Sequence, residues 1–288
     1  MPLDPDYLLG LPPIETRHEL TARDTILYAL GVGVGQEAPT DPDELQFVYE
    51  EGLRALPTMA AVLAYPGFWA QEPKYRLTWQ QILHGEQSIE IHRPLPVAGR
   101  LVGTTTIDAV YDKGPGKGAL LLASRRIFAE GVGEPLATVR QTSFLRGDGG
   151  FGGDSDGAPK PHATPDRPPD RVLEVRTRID QALLYRLSGD YNPLHVDPKV
   201  AAAGGFQVPI LHGLATYGIV GRALLRLDGP SRPETVRRLD VRFSSPVYPG
   251  DRLELDVWRE GAHRLAFRAR VPERGLTVLQ NGLMEVSP

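Results

Sequence analysis

With 288 residues, 41% of them hydrophobic and 24% charged, the chain is long enough for one large domain or two ordinary ones around a substantial core. A net charge of −4 argues against nucleic acid as a partner, and no apolar run is long enough to cross a bilayer. The lack of any cysteine excludes disulfides, thiolate metal sites and cysteine nucleophiles. With no secretory-type leader, and a C-terminus of Glu285-Val286-Ser287-Pro288 unlike a Ser-Lys-Leu address, the expected location is the cytoplasm.

Residues 1–20 are proline-rich and expected to be irregular up to Thr16. Thr21-Ala22-Arg23-Asp24 reads as a helix start, with Ile26, Leu27 and Leu30 as its apolar face and Gly31-Val32-Gly33-Val34-Gly35 as its end. The glycines do not make a nucleotide loop, because no strand precedes them and no periodic helix follows. Asp43–Leu53 is amphipathic, and Pro57–Ala64 reads as a helical stretch of small residues. Leu83-His84-Gly85-Glu86-Gln87 leads into an alternating strand over Ser88–His92, and further strands are expected at Arg100–Tyr111, Gly118–Ala129 and Pro135–Phe144. Arg146–Asp170, with Gly149-Gly150-Phe151-Gly152-Gly153 and repeated Pro, Asp and Ser, has linker composition.

That linker separates residues 1–145 from residues 171–288, and the two units repeat one another in order. Leu27-Tyr28-Ala29-Leu30-Gly31 matches Leu184-Tyr185-Arg186-Leu187-Ser188-Gly189. Ile89-Glu90-Ile91 with Pro96 and Gly99 matches Leu239-Asp240-Val241 with Pro246 and Gly250. Tyr248-Pro249-Gly250-Asp251 suits a type II turn, and strands at Arg264–Val271 and Thr277–Val286 close the second unit. Gly213–Leu225 is apolar on nearly all sides as far as Arg222, so it reads as a buried helix. Its Gly218 and Gly221 each cost about 1 kcal/mol against Ala, which points to close approach by a surrounding sheet. The predicted fold class is α+β, a double hotdog: two repeats, each a mostly antiparallel sheet wrapped around a central helix.

The repeats differ in one stretch. Ser188-Gly189-Asp190-Tyr191-Asn192-Pro193-Leu194-His195-Val196-Asp197-Pro198 holds a carboxylate, a carboxamide and an imidazole, and its prolines and glycine prevent a continuous helix or central strand. The aligned positions in the first unit are Gly33, Gly35 and Ala38. Taken singly, Asp190 is a residue beyond a helix end, Asn192-Pro193 a turn, and His195 a hydrogen-bonded loop histidine. Asp197 reads as the N-cap of a helix over Pro198–Ala203, and His212 as structural. Among the seven histidines no two stand at i,i+4, so no zinc site is expected, and Ser188 lacks a Gly-x-Ser-x-Gly elbow. Arginines cluster at Arg237-Arg238 with Arg242 and at Arg125-Arg126; taken alone, each cluster reads as a solvated strand end.

The stretch from Ser188 to Pro198, followed by Ala203-Gly204-Gly205-Phe206 and Pro209-Ile210-Leu211-His212-Gly213, resembles the hydratase 2 motif of the MaoC-like dehydratases. The first unit also resembles that family's non-catalytic repeat, at Arg23–Gly33 and at Leu83-His84-Gly85-Glu86-Gln87, so the resemblance covers nearly the whole chain. It implies reversible hydration of trans-2-enoyl-CoA to (3R)-hydroxyacyl-CoA. Asp190 and His195 would be the catalytic pair, Asn192 would position water, and the Gly213 N–H would serve the oxyanion hole. No cofactor or metal is implied. The substrate partner is an acyl-CoA, or an acyl carrier protein thioester. His84 and Gly85 are expected on the substrate side and Arg237, Arg238 and Arg242 near the CoA phosphates, with the first unit lodging the acyl chain. Two other functions fit a hotdog: an acyl-CoA thioesterase, and a non-catalytic thioester-binding subunit. Open sheet edges leave room for a homodimer.

Overall fold

The computed structural model describes residues 3–155 and 157–288; Met1 and Pro2, at the start of the expected first unit, and Asp156, within the expected linker, lie outside the described residues. Ten strands form one sheet: β1 (Ile14–Leu20), β2 (Ile82–Ile91), β3 (Gly99–Asp112), β4 (Ala119–Ala129), β5 (Ala137–Leu145), β6 (Arg171–Arg176), β7 (Val236–Phe243), β8 (Arg252–Arg259), β9 (Arg264–Val271) and β10 (Leu276–Val286). The helices are α1 (Pro5–Leu9), α2 (Ala22–Gly31), α3 (Pro42–Leu45), α4 (Gln181–Tyr185), α5 (Pro198–Ala203) and α6 (Gly213–Leu225).

The sheet order is β1-β3-β4-β5-β2-β7-β10-β9-β8-β6, and every neighbouring pair is antiparallel. Each half therefore contributes five strands in the same order from rim to seam. The halves join within the chain where β2 pairs with β7, with Ile89 opposite Leu239 and Gln87 opposite Val241. Edge strands β1 and β6 carry charges, among them Glu15, Arg17, Glu19, Arg171, Glu174 and Arg176, which discourage edge-to-edge pairing. At the expected type II turn, Asp251 N–H donates to the Tyr248 carbonyl at 3.0 Å and Gly250 takes a φ of +96°.

Helix α2 starts where expected, on a capping box in which Thr21 and Asp24 satisfy each other's backbone N–H. It packs on α4 across the two halves, with Tyr28 and Tyr185 ring centroids 6.1 Å apart. Helix α6 is buried along Ala215–Gly221, and its glycines do admit a close neighbour. A Cβ at Gly218 would stand 2.5 Å from Val32 Cγ1, and one at Gly221 would stand 2.6 Å from Thr58 Cγ2 and 3.1 Å from Leu239. The sheet supplies only part of that contact; the rest comes from the first half's α2 end and 3₁₀ turn.

Three stretches depart from the sequence reading. The long central helix occurs in the second half only; its counterpart in the first is a 3₁₀ turn, Pro57–Ala61, stopped by Tyr65-Pro66, since a residue before proline is driven out of helical geometry. Asp43–Leu53 contains only the end of α3, because Glu44 turns inward to Arg222 rather than lying on a polar face. Residues 3–20 are more regular than expected, with α1 capped by Asp4 and strand β1 after it. The described residues between β5 and β6 have little regular structure but are pinned: Asp112 accepts from the N–H groups of Gly150 and Gly152, and Asn281 donates to the His162 carbonyl.

Candidate active site

The Ser188–Pro198 stretch holds its shape through its own side chains. Gly189, at a φ of +116°, ends the turn after α4 in the left-handed region where glycine is favoured. Asp190 Oδ1 accepts from Asn192 N–H at 3.2 Å, and Asn192 Oδ1 accepts from Leu194 N–H at 3.1 Å, capping the 3₁₀ turn Pro193–His195. Asp197 then caps α5 by accepting from Lys199 N–H at 2.8 Å, as expected. The Asn192 side-chain oxygen is thus committed to the turn.

His195 is buried, with Nδ1 2.9 Å from the Ile210 carbonyl. A carbonyl can only accept, so Nδ1 carries the proton and Nε2 presents a lone pair. His212 stacks on it with ring centroids 3.7 Å apart and planes 28° apart, and its Nε2 donates to the Asp190 backbone carbonyl at 3.1 Å. His212 therefore positions both the aspartate and the imidazole. Ligand atoms of Asp190, His195 and His212 lie within 4.8 Å of one another. Imidazole lone pairs lie in the ring plane, so two stacked rings direct them side by side instead of converging on a metal ion.

Gly213 is the first residue of α6, and its N–H has no intrahelical acceptor. A Cβ there would stand 3.2 Å from the Phe243 ring, which a glycine avoids. Phe243 in turn packs edge-on against His84, with centroids 4.7 Å apart. Burial pushes the His84 imidazole down to about 4, against weaker opposing contacts with Glu86, Gln87 and the Asp190 charge. Burial likewise lowers His195, opposed by the Ile210 hydrogen bond and the Asp190 charge, while burial and then the His195 charge lower His212. Tyr65 is raised to about 12, chiefly by burial.

These shifts set a pH dependence. The unfolded chain takes up protons at His84, His195 and His212 near 6.5, whereas the folded chain does so at these three only at lower pH. Stability is thus fully present above about 6.5 and is lost as pH falls through the lowered folded values. At about 1.4 kcal/mol per pKa unit, His84 alone withdraws roughly 3 kcal/mol by the time its folded value is reached. Urea melts from pH 8 to 4 are expected to be flat above about 6.5 and to fall steadily below it; a midpoint unchanged at pH 4.5 would contradict the burial of these rings.

Both halves line one cavity of about 1470 Å³, larger than the few hundred to 1000 Å³ usual for a small-molecule site. Asp190, Asn192, His195 and Gly213 all reach it, as does His84 from the first half. Gly85 does not line it: it forms the bulge between His84 and Glu86, where a Cβ would stand 3.1 Å from the Thr142 carbonyl. Arg237, Arg238 and Arg242 also lie elsewhere, exposed on β7, with Arg238 paired to Asp240 and Arg242 opposite Glu86. The alternation that turns Leu239, Val241 and Phe243 inward sends Arg238 and Arg242 out. Unanticipated lining residues include Tyr65, Arg125, Thr105 and Phe243. Arg125 had a signal, since it shares parity with Leu121, Ala123 and Ile127, the buried face of β4.

Fold and site together define a double-hotdog protein in which the second half brings a carboxylate and an imidazole into the shared cavity. The MaoC-like domain profile matches residues 160–281, and the MFE-2 hydratase 2 N-terminal domain profile matches residues 18–147. The chain is 39% identical to the peroxisomal enoyl-CoA hydratase 2 of Arabidopsis thaliana, over 95% of this chain and 93% of that one. It is 40% identical to 3-hydroxyacyl-thioester dehydratase Y of Mycobacterium tuberculosis, over 99% of both. The crystal structure of a MaoC-like dehydratase from Phytophthora capsici superposes with a TM-score of 0.85 at 34% identity, covering 98% of each chain. The chain belongs to the MaoC-like dehydratase and hydratase 2 family.

Proposed function

We propose that this chain adds water reversibly across the double bond of trans-2-enoyl-CoA thioesters, giving (3R)-hydroxyacyl-CoA, with Asp190 and His195 as the acid–base pair. The observation that carries this reading is the cluster of the Asp190 carboxylate and the His195 ring within 4.8 Å, in the same cavity as the N-terminus of α6. A water between Asp190 and His195 Nε2 gives one proton to the pair as its oxygen bonds to C3. The double-bond electrons move toward C2 and the thioester carbonyl, whose oxygen gains negative charge. The Gly213 N–H, at the positive end of a buried helix, stabilises that charge. The proton held by the pair then goes to C2, so that H and OH have been added and both residues are restored. Asn192 orients the water through its NH₂ end.

The CoA phosphates are assigned to Arg146, which lines the cavity from an exposed position, in place of Arg237, Arg238 and Arg242. The names of the relatives support the reaction class. One of those relatives is named as peroxisomal, so the location of the tagged chain in cells is the direct check. Among the described residues no helix is long and apolar enough to cross a membrane.

Incubation with a trans-2-enoyl-CoA is expected to remove the enoyl absorbance without releasing free thiol. Thiol release would instead favour a thioesterase using Asp190 against the carbonyl, and neither signal would favour a binding subunit. A (3S) product would contradict the stereochemistry assigned here.

A further inference from the structure

The first half's share of the cavity was expected to be a plain apolar slot for an acyl tail. It contains a buried cation. Arg125 is 6% exposed and lines the cavity from β4, and it has no carboxylate partner among the described residues. One terminal nitrogen donates to the Ala61 carbonyl at 2.7 Å and reaches Ala60 at 3.4 Å, and the guanidinium lies 5.2 Å from the Tyr65 ring centroid. These contacts hold the end of the Pro57–Ala61 turn, but they offer only partial charges. The Nε–H remains without a partner. Directly opposite in the β3–β4 register stands Thr105, which is also buried, also lines the cavity, and has an unpartnered Oγ1.

Two adjacent buried donors without acceptors are costly, and a buried guanidinium without an anion more so. Burial pushes Arg125 down to about 10, so it stays charged at neutral pH. A ligand oxygen is the missing acceptor, and the fork of a guanidinium suits a carboxylate best.

The position of Arg125 fits the far end of an acyl chain. His84 pairs with Ser143 on β5 and Ser143 with Leu121 on β4, and Arg125 lies four residues further along β4. Two strand spacings and four residues of rise put the Cα atoms of His84 and Arg125 on the order of 15 Å apart. Arg125, Thr105, Tyr65 and Asp190 all line the same cavity, so the polar pair and the reacting centre open onto one continuous space.

We infer that Arg125 and Thr105 form an anchor for a carboxylate at the distal end of the acyl group, so that the substrates of this chain include ω-carboxylated 2-enoyl thioesters of medium length. The inference rests on the hydratase reading for its substrate class, while the anchor itself can be tested by binding alone.

Two measurements on the full chain decide it. In the first, kcat/KM is compared for trans-2-decenoyl-CoA and the mono-CoA thioester of trans-2-decenedioic acid. In the second, calorimetry compares the affinities of decanoyl-CoA and the mono-CoA thioester of decanedioic acid, which need no turnover. The wild-type chain is expected to favour the carboxylated ligand at least tenfold in both. Arg125→Met is expected to abolish or reverse that preference, and Thr105→Val, which keeps the guanidinium and its hold on Ala61, to reduce it about threefold. Thr105→Val keeps the test usable if Arg125→Met does not fold. Equal binding of the two ligands by the wild type, or an unchanged ratio in either variant, overturns the anchor. Tenfold tighter binding of the carboxylated ligand with no hydration of either enoyl substrate would sustain the anchor and sink the hydratase reading instead.

Discussion

Asp190→Asn is expected to lower hydration of a trans-2-enoyl-CoA by at least about 10³-fold while leaving the fold intact. The substitution is nearly isosteric, and its carbonyl oxygen can still accept from Asn192 N–H, so the turn into Pro193 is kept. What it removes is the negative charge beside the His195 ring and one acceptor for the water. His195→Ala is expected to cost a similar factor by removing Nε2, the lone pair left free once Nδ1 has bonded to Ile210. Because the two act on one water, the double variant should be little worse than either single one, as for catalytic groups that work as a unit. Initial rates from enoyl absorbance, with circular dichroism melts to show folding, decide the matter. Turnover of Asp190→Asn within tenfold of wild type would remove the aspartate from the mechanism.

Glu44→Ala is expected to destabilise the chain by about 3–5 kcal/mol, because it strands a buried cation. Glu44 is 4% exposed and Arg222, from the last turn of α6, is 13% exposed; they pair at 3.2 Å across the two halves. Glu44 also accepts from Arg226 at 2.6 Å and from the Gly35 N–H at 2.7 Å. This network occupies the first half's counterpart of the active loop. A Cβ at Gly33, which aligns with Asp190, would stand 3.5 Å from an Arg222 nitrogen. The vacated site has thus become an ionic clasp between the repeats. Replacing both partners, as in Glu44→Ala with Arg222→Met, should cost less than Glu44→Ala alone, since no unpaired charge is then left inside. Urea denaturation of the three variants measures the difference. A single-variant loss below about 1 kcal/mol would mean that water already reaches the pair.

The duplicated order was legible because each repeat carries its own local signals. The Thr21 capping box, the alternation of Ile89 and Ile91 or Leu239 and Val241, and the glycine of the Tyr248–Asp251 turn all act over a few residues. Helix length in the first half was not legible. Pro57–Ala64 and Gly213–Leu225 are both rich in small residues, and the first is cut short by Tyr65-Pro66 and by a left-handed Ala64, at a φ of +46°. Arg125 and Arg126 looked alike as a charged pair, yet strand alternation sends one to solvent and the other into the cavity. Arg237, Arg238 and Arg242 looked like a cluster for phosphates, and the same alternation holds Arg238 and Arg242 on the outside of β7, away from the cavity.

By itself the sequence determined where chemistry could occur. Asp190, Asn192 and His195 lie in a stretch whose prolines and glycine forbid regular structure, and the matching positions of the other repeat are empty of such groups. Short-range sterics and periodicity suffice for that. Only the tertiary structure decided what surrounds each group. The Ile210 carbonyl fixes the His195 tautomer, His212 stacks beneath it, Gly213 presents its N–H beside Phe243, and Arg125 is left inside the cavity without an anion. Those partners are brought together by sheet register, by the seam between β2 and β7 and by the packing of α6 on the other repeat, and no local pattern along the chain encodes them.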